Sequence, residues 1–292
     1  MKITRKSFIR SFLYTGLGLG FFPRLMAQKA TKKNIPAKRV LGRTGIEVTS
    51  LGLGASRTQQ SAVLKYAIDH GINFLDTGRR YANGRNEEMI GETLNGIRKD
   101  FVIQSKMKVS LKGKAGNPEK IREQMENSLQ ESLKALQTEY IDIMLLHGID
   151  QVEYLQNETI RQVFNEMKLR GSIRACGFSS HTNMVNLMKM ANKDHFFDVI
   201  MVPFNPFGAF QHSQSDWSTS WDQEALVKEM KKAHANGTGI VPMKTCSGGP
   251  YAFNKDQETS YAGAVKWVRS HDFVATTAVA MVNFEEIKEH TA

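Results

Sequence analysis

Eight short apolar segments recur along this chain, and they constrain its fold more than any other feature. Each is nearly continuous in apolar character, rich in β-branched residues and bounded by polar or glycine-containing stretches, as is typical of strands buried on both faces. Between them, residues 121–136 and 160–167 place apolar or small side chains at the three- and four-residue spacing of helices. The predicted strands are 48–53, 72–75, 101–106, 141–147, 173–178, 199–204, 239–243 and 277–282.

This alternation predicts an α/β protein of the (β/α)8 TIM-barrel type, although the count also fits an open doubly wound sheet. The segment LGLG at residues 51–54 lacks the third glycine of a dinucleotide-binding G-x-G-x-x-G turn. Residues 38–48, with a turn at Arg43-Thr44-Gly45, predict a β-hairpin before the first barrel strand. We therefore expect one domain over residues 39–292, with a short N-terminal hairpin and an eighth helix truncated at Ala292.

The net charge of +10 comes almost entirely from the N-terminal segment. Residues 1–43 hold 11 lysines and arginines and no acid, which leaves 28 basic and 29 acidic residues elsewhere. A basic leader before a near-neutral body indicates targeting rather than nucleic-acid binding, so we expect no nucleic-acid partner. Cys176 and Cys246 are the two cysteines of the sequence, and they form neither a disulfide framework nor a metal-binding spacing. No metal is expected.

The leader combines a charged start, an apolar run over residues 12–22 and a small-residue exit at Ala27. The run is about half of the ~20 residues that span a bilayer, so it predicts a signal peptide over residues 1–27 and no stable membrane span. Arg5-Lys6-Ser7-Phe8 resembles a twin-arginine motif with Lys6 at the second arginine. We expect recognition by the export machinery, a polar linker over residues 28–38 and a periplasmic protein. A general secretion signal, an uncleaved amphipathic anchor, or a cytoplasmic protein with a non-functional leader are the alternatives.

Three successive predicted strands end in ionisable side chains: Asp76, Lys106 and His147. Such a group is costly to bury unless it is paired, and functional residues of a barrel lie at the C-terminal ends of its strands. Tyr81 follows in the loop after Asp76 and can reach over the same mouth. Each residue alone has a structural interpretation, as a helix cap, a solvated strand end, a structural histidine or a packing aromatic. Their joint placement predicts a catalytic set.

These four residue types suit the reduction of a carbonyl group, which requires a hydride for carbon and a proton for oxygen. Tyr81 would give the proton, and a nearby Lys106 ammonium would lower its pKa from about 10. Asp76 would hold and orient the lysine. His147 would hydrogen-bond the substrate oxygen.

At these residues the chain resembles the aldo-keto reductase family. LGRTGIEV at residues 41–48 resembles its opening hairpin, and DTGRRYANGRNE at 76–87 resembles its Asp-Thr-Ala-x-x-Tyr-to-Glu signature. LQTEYID at 136–142 precedes the His147 strand, and GFSSH at 177–181 resembles the segment that holds the nicotinamide carboxamide. The resemblance runs from about residue 39 to the end. It implies a (β/α)8 barrel and reduction of a small-molecule aldehyde or ketone by NAD(P)H.

The resemblance also implies a set of cofactor-binding residues: Ser179, Ser180, Asn205, Met243, Lys244, Ser247 and Gly248. Met201 departs from the family, because it stands where a glutamine contacts the carboxamide, and Met243 stands where an aromatic residue often stacks. Residues 279–286 lack the basic residues that many members set against the 2′-phosphate. NADP is the cofactor that the resemblance implies, and NAD is the alternative because these basic residues are missing.

Two other functions are weighed against the reductase. A redox-sensing module of the same fold with slow turnover is the main alternative. A hydrolase or lyase that uses His147 and Asp76 is disfavoured, because the sequence has no metal-ligand cluster and no nucleophile elbow.

Overall fold

The computed structural model describes residues 35–211, 217–246 and 260–292. Its strands are β1 (Lys38–Val40), β2 (Glu47–Thr49), β3 (Gly52–Gly54), β4 (Phe74–Asp76), β5 (Val102–Met107), β6 (Ile141–Leu146), β7 (Ile173–Ser179), β8 (Val199–Pro203), β9 (Ala209–Gln211), β10 (Ser218–Ser220), β11 (Gly239–Met243) and β12 (Ala278–Val279). Eight of them form one parallel sheet in the order β11-β8-β7-β6-β5-β4-β3-β12. The predicted signal peptide lies outside the described residues, as do residues 28–34 of the predicted linker.

The two end strands of this sheet are joined by side chains, which makes the barrel nearly closed. Thr277, just before β12, donates from Oγ1 to the Pro242 carbonyl oxygen of β11 at 3.2 Å. The same Oγ1 lies 2.9 Å from Thr245 Oγ1. With this closure the fold is the predicted (β/α)8 barrel.

A helix follows every barrel strand in the part of the chain that the structure describes. The helices are α1 (Ser61–Asp69), α2 (Arg85–Thr93), α3 (Pro118–Ala135), α4 (Glu153–Gln156), α5 (Glu158–Leu169), α6 (Met184–Asp194), α7 (Gln223–Ala235), α8 (Tyr261–Arg269) and α9 (Phe284–Thr291). The periodic residues Ile121, Met125 and Leu129 of α3 are all buried against the sheet, as the spacing predicts. At the start of α5, Asn157 Oδ1 accepts a hydrogen bond from the Ile160 amide at 3.0 Å.

The hairpin of β1 and β2 lies ahead of the first barrel strand, as predicted, and turns at Gly45 with a φ of 68°. Leu41, Ile46 and Val48 from this hairpin join the apolar cluster of the barrel interior, which also contains Phe74. A second and larger apolar cluster packs the helices against the outside of the sheet. The hairpin therefore adds apolar side chains to the barrel interior and leaves the functional residues to the strand ends.

Two predicted strands differ from the observed ones by more than two residues at one end. Residues 48–53 are not one strand: β2 ends at Thr49, and the chain turns at Ser50 before β3 begins. The apolar pattern continues across the turn because Leu51 is also buried. The eighth strand covers only residues 278–279 of the predicted 277–282, because its register partner β3 is itself only three residues long. Within the described ranges, no helix is long and apolar enough to cross a membrane.

Candidate active site

The structure brings the predicted catalytic residues together at one end of the barrel. Lys106 Nζ lies 2.5 Å from Asp76 Oδ1 and donates to the Tyr81 hydroxyl oxygen at 3.2 Å. Its third hydrogen bond goes to the Thr77 carbonyl oxygen at 2.6 Å. All three ammonium protons therefore have an acceptor, which fixes the side chain. Because Lys106 donates to the phenol oxygen, the phenol proton stays available for another acceptor.

The positions of these groups follow from the strands that carry them. Asp76 is the last residue of β4, and Lys106 is the penultimate residue of β5, its parallel neighbour. Both side chains are almost completely buried, at 3% and 2% exposure. Burial costs a lysine several kcal/mol of solvation free energy. The attraction of Asp76 offsets this cost and allows Lys106 to be buried.

His147 follows β6 directly and completes the set. Its ring lies edge-on to the ring of Tyr81, with 5.7 Å between the centroids. Ser179 Oγ accepts from the Gly148 amide at 2.9 Å and donates to the Leu146 carbonyl oxygen at 3.2 Å. The Ser179 hydroxyl thus forms hydrogen bonds with the peptide groups on both sides of His147 and holds the backbone of that residue in place.

The electrostatics of this site differ from the sequence prediction in one respect. Burial raises the pKa of Tyr81 above 10, and the opposing effect of Lys106 does not overcome it. The expectation of a net lowered tyrosine pKa is therefore wrong, because a sequence does not report burial. Burial lowers the pKa of Lys106, but Asp76 and Tyr81 outweigh it and raise that pKa above its usual value. The phenol and the ammonium both keep their protons at neutral pH.

His147 is an uncharged imidazole at neutral pH. Burial is the main reason that its pKa falls to about 4, and the positive charges of Lys106, Arg80 and Lys108 lower it further. A neutral imidazole beside a tyrosine can donate a hydrogen bond to a carbonyl oxygen without adding a charge.

Gln104 is a functional neighbour that the sequence reasoning missed. It is fully buried on β5, and its Nε2 donates to Asp76 Oδ1 at 2.7 Å, the oxygen that also accepts from Lys106. The same Nε2 lies 3.4 Å from Met201 Sδ. A signal was present in the sequence, because a polar residue two positions before Lys106 shares its face of the strand.

A second layer of polar residues supports the loop that carries Tyr81. Glu87 on α2 pairs with Arg79 Nη1 at 2.6 Å and accepts from Ser105 Oγ at 2.6 Å. Burial raises the pKa of Glu87 even though Ser105 and Arg79 act against it. Thr77 Oγ1 donates to Asn86 Oδ1 at 2.6 Å. The loop after β4 is therefore tied to both β5 and α2.

Several predicted cofactor residues use their polar atoms within the fold. Ser180 Oγ donates to the Thr182 carbonyl oxygen at 2.5 Å. Asn205 Nδ2 donates to the carbonyl oxygens of Ala209 and Lys244, at 2.8 and 3.1 Å. Met243 is 93% buried and belongs to the apolar cluster of the barrel interior. Ser247 and Gly248 lie outside the described residues.

Lys244 is the predicted cofactor residue with the most distinctive surroundings. Its Nζ lies 3.6 Å from the ring centroid of Phe210 and 3.8 Å from that of Trp217. Burial lowers its pKa to about 7. The amine is therefore charged in about half of the molecules at neutral pH, and a phosphate bound beside it would favour the charged form. That ammonium lies against two aromatic faces and makes no ion pair among the described residues.

His181 lies beside this lysine on the segment after β7. Burial is the main reason that its pKa falls to about 3, followed by the charge of Lys244, by His147 when that ring is protonated in acid, and by Lys106. Its ring is edge-on to Trp217 at 6.0 Å. The rim thus holds two neutral imidazoles among cationic side chains. Among the described residues, no group of three His, Cys, Asp or Glu side chains could hold a metal ion.

Known sequences place this site in context. The sequence profile described as the Aldo/keto reductase family matches residues 45–289. A curated relative, the uncharacterized oxidoreductase YqkF of Bacillus subtilis, is 31% identical over 189 residues, which cover 62% of this chain and 59% of that protein. The chain spans about half the length of the curated relatives that it matches.

Solved structures agree on the fold. The holo form of an aldo-keto reductase from Bacillus halodurans superposes with a TM-score of 0.70 at 23% identity, over 88% of this chain and 90% of that chain. An aldo/keto reductase from Klebsiella pneumoniae, in complex with NADP and acetate, superposes with a TM-score of 0.65 at 20% identity, over 88% and 89% of the two chains. At these identities the likeness shows the barrel and no more.

Proposed function

This chain belongs to the aldo/keto reductase family, and from that premise we propose that it reduces an aldehyde or ketone to an alcohol with NADPH, NADH being the alternative. The observation that carries the proposal is the position of the Lys106 ammonium between Asp76 and Tyr81, at 2.5 and 3.2 Å. Such a triad provides a proton donor whose conjugate base lies next to a fixed positive charge.

In the proposed reaction, NADPH supplies the hydride for the carbonyl carbon when it is bound. Tyr81 donates its phenol proton to the developing alkoxide oxygen. Lys106 stabilises the phenolate that remains, since an adjacent cation favours the charged form. Asp76 keeps the lysine aimed at the phenol, and neutral His147 donates a hydrogen bond that orients the carbonyl oxygen.

The residues that would hold the cofactor fit a dinucleotide in one respect. Lys244 offers an ammonium that faces aromatic rings rather than a carboxylate within the described chain, and phosphates bind such cations. Contacts of Ser180, Met243, Ser247 and Gly248 with the cofactor are also proposed, whereas Ser179 and Asn205 are proposed to position the site. The hydroxyl and amide bonds that Ser179 and Asn205 make within the fold favour support of the site over direct contact.

Turnover of purified protein tests this function. Loss of NADPH absorbance with a neutral aromatic aldehyde, together with formation of the matching alcohol, is expected. Parallel assays with NADH measure the cofactor preference. A redox-sensing role with slow turnover is the second candidate. Ser180 and Asn205 form hydrogen bonds within the fold, which leaves fewer polar atoms to hold the cofactor for catalysis. Tight NADPH binding with no more than about one turnover would favour that role and contradict the reductase.

We also propose that the protein is exported through its leader, with residues 1–27 removed. The support is the basic, acid-free start and the short apolar run over residues 12–22. Cell fractionation and the mass of the mature protein test it. A periplasmic protein that begins after Ala27 is expected, and a full-length cytoplasmic protein would contradict export.

A further inference from the structure

Two exposed cations flank His147 at the rim of the barrel. The His147 amide donates to the Met107 carbonyl oxygen at 2.8 Å, which puts Lys108 beside the imidazole. The Arg79 amide donates to the Lys106 carbonyl oxygen at 3.2 Å, which puts Arg80 at the same rim. The three loops that carry these residues are therefore joined side by side by backbone hydrogen bonds.

Arg80 and Lys108 flank the imidazole that would orient the carbonyl oxygen in the proposed reaction. Both lower the pKa of His147, after burial and Lys106, so their charges act on the imidazole. Both side chains are exposed, and neither makes an ion pair or a side-chain hydrogen bond with another residue of the described ranges. Two cations at the rim of the barrel that have no acidic partner in the described ranges can bind an anion from solution.

The acids nearest to this rim do not neutralise these cations. Asp76 is buried and paired with Lys106, and Glu87 is buried and paired with Arg79. The next acid along the loop after β6 is Asp150, three residues beyond His147 and exposed. The local charge near the imidazole is therefore positive, in a protein body that is otherwise near neutral.

We propose that Arg80 and Lys108 form an anion subsite beside His147, and that the substrates are aldehydes or ketones that carry a carboxylate or phosphate group. This inference rests on the proposed carbonyl reduction and names its substrate class. A guanidinium binds carboxylate and phosphate oxygens with two parallel hydrogen bonds, and an ammonium adds a second point of charge. The subsite orients the carbonyl toward Tyr81 while the anion stays at the solvent edge.

A matched substrate series tests the subsite. The substrates are 4-carboxybenzaldehyde, 4-formylphenyl phosphate and the neutral methyl ester of the first compound. They are assayed with the wild type, Arg80→Gln, Lys108→Gln and the double variant. Lys99→Gln is the control, because Lys99 is an exposed cation just before the opposite end of β5. Ratios of kcat/KM between an anionic substrate and the ester remove differences in intrinsic reactivity.

The double variant is expected to lower the anion-to-ester ratio about 10-fold, each single variant about 3-fold, and Lys99→Gln not at all. In the wild type the ratio should also fall as salt rises, because exposed charges are screened within ~10 Å at ~0.1 M salt. A larger fall for one anion identifies carboxylate or phosphate as the preferred group. A ratio unchanged in the double variant would overturn the subsite. So would weaker NADPH binding by that variant with an unchanged ratio, which would assign the cations to the cofactor.

The inference can fail separately from the proposed function. If the wild type reduces none of the three aldehydes, the reductase proposal fails, and calorimetric titration with benzoate in the presence of NADPH still tests the subsite. Binding that is weakened about 10-fold in the double variant supports an anion site. Equal binding by the wild type and the double variant contradicts it.

Discussion

Lys106 and Tyr81 form a donor–acceptor pair in which the ammonium Nζ lies 3.2 Å from the phenol oxygen. Burial raises the pKa of the phenol, and the lysine acts in the opposite direction without cancelling that effect. Tyr81 is thus a protonated acid at neutral pH, next to a charge that stabilises its conjugate base. The pair is suited to donate a proton during reduction and to recover it afterwards.

Lys106→Met is expected to lower kcat and to raise the pKa of Tyr81 further, because the cation that favours the phenolate is lost. Reduction needs the protonated phenol, so activity is present below the Tyr81 pKa and lost above it. The alkaline limb should therefore move to higher pH. The measurements are the pH profile of kcat/KM and the titration of 13C-labelled tyrosine by NMR, assigned with Tyr81→Phe.

The control for this variant is Asp76→Asn combined with Lys106→Met, which removes the carboxylate that would otherwise be buried without a cation. A higher KM, with the alkaline limb of the pH profile and the Tyr81 titration both unchanged, would show that Lys106 contributes only to binding.

Gln104→Met is expected to lower kcat about 10-fold while the dissociation constant of NADPH stays the same. Asp76 Oδ1 loses one of its two donors, and a hydrogen bond to a charged group is worth about 1.5–3 kcal/mol. Gln104→Glu should recover activity as pH falls, since a carboxyl beside Asp76 must be protonated to donate. Ile143→Val, at the register partner of Gln104 on β6, controls for interior packing. If Gln104→Met lowers only the melting temperature, Gln104 has no positioning role.

Asp198→Asn is expected to destabilise the fold by about 1–2 kcal/mol, since it removes the carboxylate shared by two partly exposed cations. Asp198 lies just before β8 and pairs with Arg43 of the hairpin loop at 3.1 Å and with Lys168 of α5 at 3.2 Å. Thermal unfolding, with the exposed Asp100→Asn as the control, measures the effect. Equal melting temperatures for the two variants would show that this link does not hold the hairpin.

Strand periodicity and strand ends are local signals, so they predicted the alternation of strands and helices and the convergence of Asp76, Lys106, Tyr81 and His147. The choice of a barrel over an open sheet rested also on the family resemblance. It was not sufficient to predict the break between β2 and β3, since buried Leu51 continues the apolar pattern through the turn. Nor did it predict the second donor on Asp76, which comes from the neighbouring strand through sheet register. The Tyr81 pKa depends on burial, which exists only in the folded protein.

Single-turnover reduction by the wild type and by Tyr81→Phe tests the central claim most directly. Both proteins are first titrated with NADPH to establish equal cofactor binding, and then mixed with a saturating aldehyde while NADPH oxidation is followed. Loss of the phenol proton should slow the chemical step about 10²–10⁴-fold, the usual contribution of a general acid. A Tyr81→Phe rate within a few-fold of the wild type, at equal NADPH occupancy, would contradict Tyr81 as the proton donor.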